Sequence, residues 1–205
     1  MLTDQPSGVT WPPFTTLTAR QVRAAEFQPR DKAALPRTLA YLDELEAQGR
    51  YTLMVWPVHC QIGSWGHAVH ASVQAACSRW EDQHRRPVQA VFKGANPWTE
   101  HYSAVQAEVP DSSDPDTSLN RALLARLDAA DHILVAGEAA SHCVKATVEH
   151  LVVHLPNGRP ERITLLTDRI NAEGQALFAK MGFFKSQMIL LRLPLTQDAA
   201  TLQKS

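Results

Sequence analysis

Short apolar runs alternating with amphipathic helical stretches constrain this fold more than any other feature of the sequence. The runs are residues 51–56 (YTLMVW), 87–92 (PVQAVF), 132–136 (HILVA) and 163–167 (ITLLT). Each is too short for a helix and rich in β-branched residues or leucine, which suits a strand buried on both faces of a parallel sheet. Between them, apolar residues recur at helical spacing. Leu35, Leu39, Leu42 and Leu45 form one stripe, with Gly49 as its stop. Val69, Val73, Ala76, Cys77 and Trp80 form a second, and Leu119, Ala122, Leu123 and Leu127 a third. Val144, Val148, Leu151, Val152 and Leu155 form a fourth, closed by Pro156-Asn157-Gly158. The alternation predicts an α/β fold, with three layers (α/β/α) around a mostly parallel sheet.

The 205 residues suit a single domain with a sizeable core. Residues 34–170 are its expected core and 171–205 a C-terminal segment of helix-then-strand character. Residues 1–33 form an expected covering arm. Pro6, Pro12, Pro13 and Pro29 lie in that arm, and proline blocks ladder hydrogen bonds, so no strand is expected there. Residues 110–118 (PDSSDPDTS) form a polar loop of the kind that lies beside sites. A net charge of −1 without a basic run argues against nucleic acid or an anionic membrane as partner. The apolar run at 188–191 is far too short to span a bilayer. The first ten residues lack the pattern of a secretory signal. Cys60, Cys77 and Cys143 are odd in number and sparse, and read as reduced thiols in a cytoplasmic protein.

In a parallel sheet the ligand site lies beyond the carboxyl ends of the strands. The first run leads into Trp56-Pro57-Val58-His59-Cys60 and the second into Lys93-Gly94. The third leads into Gly137 and on to Cys143, and the fourth into Asp168. Ser141 is a suitable N-cap, which would place Cys143 at the second position of the next helix. There the sulfur faces unpaired N–H groups and the positive end of the helix dipole, which favour a thiolate. The same amides can hold an oxyanion. Cys60 and Cys77 read instead as small core residues, Cys77 on the apolar stripe of its helix. Lys93 either adds positive charge near Cys143 or extends to solvent. His59 can be a metal ligand, an acid–base group or a polar loop residue, and the remaining histidines show no ligand spacing. Asp168 reads as a turn cap.

Three blocks carry a resemblance. WPVHC (56–60), FKGANPWTEHYSA (92–104) and VAGEAASHCVKATVEHL (135–151) resemble the nicotinamidase/isochorismatase-like cysteine hydrolases, in that family's order. The likeness extends over roughly residues 51–168. It implies that Cys143 attacks a carboxamide carbonyl to form a thioester, and that Lys93 supports the sulfur anion and the developing charge. It also implies an oxyanion hole from the backbone N–H groups of Ala139 and Cys143, after a cis Glu138–Ala139 bond. Trp56 and Tyr102 match aromatic residues flanking the substrate ring. His59 matches one ligand of a divalent metal (Zn, Fe or Mn).

Two blocks of that family have no counterpart in this sequence. One is the Asp-x-x-Asn-Asp-Phe-like block that carries the triad aspartate; the other is the Asp-x-His block that carries the remaining metal ligands. By resemblance, two strand units are missing upstream, on the order of 60–100 residues. Their loss would uncover a sheet edge and apolar helix faces, which predicts either a covering chain, as in a homo-oligomer, or a fragment of a longer gene product. General acid–base help contributes about 10²–10⁴ in rate, so losing the aspartate would slow turnover. The expected function is a cysteine-dependent hydrolase of a small carboxamide. The alternative is a truncated, catalytically impaired homologue that acts as a binding or interaction protein.

Overall fold

In the computed structural model, which describes residues 2–4, 11–155, 162–165 and 171–183, the chain divides into two units, residues 1–167 and 168–205. The first unit opens with strands β1 (Leu2–Asp4) and β2 (Thr16–Leu17), helix α1 (Ala19–Arg23) and strand β3 (Gln28–Pro29). Thr18 and Gln21 form a capping box that starts α1. β1 pairs antiparallel with β3. The expectation of a strand-free arm is thus corrected. Pro29 enters only a two-residue strand, where a missing N–H removes little of a ladder.

Helix α2 (Leu35–Ala47) has Pro36 in its first turn, where no N–H partner is needed. It ends at Gly49, whose φ of +66° favours glycine and whose N–H reaches Glu46 O at 3.0 Å. Strand β4 (Leu53–Met54) follows and pairs antiparallel with β2. Leu17, Ala19, Val22 and Phe27 from the arm bury against Leu42 of α2, with Leu53 and Val55 beside them. The arm is therefore part of a core rather than a cover.

Helix α3 (Ala71–His84) and helix α4 (Arg121–Asp128) precede strand β5 (His132–Val135). A wide turn, Ala140–Val144, leads into helix α5 (Lys145–His154), and strand β6 (Arg162–Leu165) follows. β5 and β6 are parallel, from His132 opposite Arg162 to Val135 opposite Leu165. Val105, Leu124, Ile133 and Leu151 form the second core beneath them. In the second unit, helix α6 (Ala172–Lys180) is capped by Asn171, whose side chain accepts from Gly174 N–H at 2.9 Å.

The protein is of mixed helix and strand. Among the described residues the strands form three two-stranded sheets, two antiparallel and one parallel, where one mostly parallel sheet was expected. Residues 51–56 narrow to β4 and pair with the arm. Residues 87–92 form no strand: the Val88 N–H donates to Glu81 Oε1 at 2.8 Å, and Phe92 is 81% exposed. An apolar run with no neighbour to pair with gives its backbone donor to a side chain instead. α3 begins after Val69, the first residue of its predicted stripe, and has no fully buried residue, although Cys77 is half-buried. Cys60 is exposed, not packed in a core. The expectations for residues 156–158, 166–168 and 188–191 lie outside the described residues. Among the described residues no helix is long and apolar enough to cross a membrane.

Candidate functional site

The segment that carries Cys143 begins earlier than the sequence suggests. Ala139 is the cap of the wide turn, and its carbonyl accepts from both His142 N–H (3.1 Å) and Val144 N–H (3.2 Å). The second bond closes a five-residue loop and widens the turn. Ser141 is consequently inside the turn, with its hydroxyl 3.0 Å from His142 Nδ1. Cys143 is fourth in the Ala140–Val144 turn rather than second in a regular helix. The Glu138–Ala139 peptide bond is cis. The N–H groups of Ala139 and Cys143, the pair expected to hold an oxyanion, reach no acceptor among the described residues, and neither do those of Ala140 and Ser141, so all are available to an anion.

Lys93 meets this turn from the other side. Its Nζ lies 3.6 Å from Cys143 Sγ and donates to His101 O at 2.8 Å. The His101 carbonyl therefore aims the ammonium at the sulfur, which a side chain extending freely to solvent would not maintain. Lys93 is exposed and Cys143 half-buried, so the pair is open to a solute. Burial, with the Lys93 charge added, pushes the His101 imidazole below its ordinary value.

The turn is laced to the loop that follows Lys93. Thr147 Oγ1 donates to Cys143 O at 2.7 Å and accepts from Ala104 N–H at 3.0 Å. Trp56 Nε1 donates to the Tyr102 hydroxyl at 3.0 Å, bringing these two predicted aromatics together. The ring they hold in this structure belongs to the protein. His142 lies 5.0 Å from Trp56, 5.3 Å from Tyr102 and 6.0 Å from Tyr51, centroid to centroid. Burial, followed by the Lys145 charge, lowers the His142 pKa. Burial also raises Glu100, against the lowering influence of the neighbouring Tyr102 and Trp56 side chains.

His59 is exposed, beside Trp56, with Nδ1 2.6 Å from Pro57 O. Among the described residues no group of three or more His, Cys, Asp or Glu side chains could hold a metal ion. The described residues do not fit a divalent metal centre at His59, since fewer than three protein ligands leave most of the coordination shell to water.

No protein-family model, curated protein or solved structure matches the chain.

The site therefore rests on its own geometry: a thiol, an ammonium in contact with it, and open amides at the head of a helix. Sequence reasoning did not single out Tyr51, His142 or Thr147. For Thr147 the signal was available, because Cys143, Thr147 and His150 fall at i, i+4 and i+7. They share one polar face of the helix while Val144, Val148 and Leu151 share the apolar one. Tyr51 and His142 meet across the chain, and no spacing announces that.

Proposed function

We propose that the protein is a cysteine-dependent hydrolase of small carboxamides, of the nicotinamidase-like type, working through a thioester on a three-layer isochorismatase-like scaffold. One observation carries the reading: Lys93 Nζ stands 3.6 Å from Cys143 Sγ, at the head of a turn with open N–H groups. The sulfur anion attacks the carboxamide carbon, and the carbonyl oxygen takes up the negative charge. The N–H groups of Ala139 and Cys143 receive that oxyanion, and the ammonium of Lys93 supports the sulfur anion before attack and the developing charge after it. Collapse of the tetrahedral species breaks the C–N bond, and the departing nitrogen takes a proton from solvent water to leave as ammonia. Water then adds to the thioester and releases the acid, returning Cys143. The proposed setting is a cytoplasmic one in which the three free cysteines stay reduced, with the chain assembled as a homo-oligomer.

A second reading has its own observation. Among the described residues no carboxylate is hydrogen-bonded to Cys143 Sγ or ion-paired with Lys93. An enzyme short of a general acid turns over slowly, and a chain that keeps the pocket as a binding site fits the same geometry. Ammonia release from nicotinamide and a panel of small carboxamides separates the two. Wild type is expected to release ammonia, Cys143→Ala to release none, and Lys93→Ala to lose about 10²-fold or more in kcat/KM. A Cys143→Ala variant that keeps the wild-type rate would sink the hydrolase.

A further inference from the structure

Behind the Cys143 turn lies a cluster of charges that the reaction as written does not use. Arg50, in the loop after α2, extends its guanidinium toward α5 and toward the 103–108 loop. Its Nη2 is 3.0 Å from Glu149 Oε2, and its Nη1 is 3.2 Å from His150 Nε2 and 3.4 Å from Glu108 Oε2. The Glu108 side chain is fully buried, and neither of its carboxylate oxygens accepts a hydrogen bond among the described residues. An ionised carboxylate there depends on the guanidinium for its compensation. Burial raises the Glu108 pKa, and the Arg50 charge works against that rise.

The next residue completes the arrangement. The Tyr51 ring lies over the other end of the Cys143 segment, stacked near His142 at 6.0 Å and beneath Lys145 Nζ at 4.7 Å. Arg50 and Tyr51 therefore straddle the segment that runs from Cys143 into α5. One holds its second turn (Glu149 and His150), and the other holds the residues on either side of the thiol. The second turn is joined to the same loop again through His150 Nδ1 and Ser103 Oγ, 2.9 Å apart.

We propose that Arg50 is a positioning residue for Cys143. Its fork fixes α5 against the 103–108 loop and so sets the sulfur opposite Lys93. The function needs a fork. A lysine can neutralise Glu108, but it cannot reach Glu149, His150 and Glu108 together from one planar group. The inference deepens the proposed hydrolase reading, in which Cys143 is the reactive thiol.

Iodoacetamide labelling of Cys143, followed by mass spectrometry with Cys77 as internal reference, tests it without any turnover. Besides Lys93, the charged or titratable groups in and around the Cys143 segment include Glu138, His101, His142, Lys145 and Tyr51, with Glu108, Glu149 and His150 behind them. All stay in place in Arg50→Lys, and only Glu108 changes in the charge-balanced double variant Arg50→Gln/Glu108→Gln. Both variants are expected to lower the Cys143-to-Cys77 rate ratio at pH 7.5 at least threefold. Both should also shift the pH midpoint of Cys143 labelling, while Glu108→Gln alone stays near wild type. Folded variants that label Cys143 with the wild-type ratio and midpoint would overturn the proposal. Failure of both to fold would overturn it too, by making Arg50 a residue of general stability. If wild type releases no ammonia from any carboxamide while the labelling responds to Arg50, the hydrolase reading falls and the positioning role stands.

Discussion

His150 is held as a neutral imidazole of one tautomer. Arg50 has only donors to offer, so Nε2, 3.2 Å from its Nη1, must be the acceptor. The proton is then on Nδ1, which donates to Ser103 Oγ at 2.9 Å. Burial first, and the Arg50 charge second, push the His150 pKa from 6.5 to about 4. A depressed pKa means that the unfolded state binds the proton more readily than the folded state. The stabilisation is therefore present above pH 6.5 and is lost as the pH falls toward 4. For a half-buried group it amounts to something on the order of 2 kcal/mol. The raised carboxyls of Glu100 and Glu108 act in the opposite sense, so total stability alone does not isolate the histidine. His150→Asn does, because its amide can keep the Ser103 bond without titrating. Urea melts at pH 7 and pH 4.5 are expected to show a smaller loss of stability in the variant than in wild type, and equal losses would refute the assignment.

Elements differ in how much they contribute, and burial sorts them. Leu42 of α2 is 0% exposed and sits among the arm residues, whereas Val73 of α3 is 51% exposed. Leu42→Ala is expected to cost about 2–5 kcal/mol by transfer and cavity terms. Val73→Ser should stay within about 0.5 kcal/mol. Urea midpoints at constant m-value check both, and a destabilised Val73→Ser would mean that α3 is covered. The same contrast explains what the sequence could tell. Helices α2 to α5 follow from their periodicity, because each stripe is local. The contact between Cys143 and Lys93 does not, because the spacing left Lys93 free to extend to solvent and only the resemblance implied the pairing. Pairing partners are not local. Residues 87–92 look like a buried strand in composition, but a strand is made by its neighbour, and Val88 gives its N–H to Glu81 instead. Pro29 and the two-residue strand at Thr16 carry no period at all, so the arm's part in the core stayed hidden. Ser141 misled for a related reason. It has the chemistry of a cap, but the shared Ala139 carbonyl starts the turn before it.

At the scale of the whole molecule, the apolar side chains left in water are concentrated in one stretch among the described residues. Val58, Ile62, Trp65 and Phe92 are 81%, 75%, 93% and 81% exposed, and Val69, Val73, Trp80 and Val88 lie exposed between them. Single exposed apolar residues are ordinary, but this many along residues 58–92 is what an interface leaves when its partner is removed. Burying a large side chain returns roughly 1.5–3 kcal/mol against the cost of association. Four or more such residues on each of two chains suffice for micromolar self-association if they pack well. A net charge of only −1 offers little repulsion to oppose it. Sedimentation velocity from about 1 to 100 μM is therefore expected to show a concentration-dependent mass above that of the 22.7 kDa chain. Trp65→Ser combined with Phe92→Ser should return the protein toward the monomer with its melting temperature little changed, because both side chains are largely exposed among the described residues. A wild-type protein that stays monomeric at 100 μM would dismiss self-association, and the apolar stretch would then need a different occupant. Phe92 precedes Lys93 directly, so covering this surface would also narrow the approach to Cys143. Association and labelling of Cys143 are therefore expected to change together as the concentration is raised.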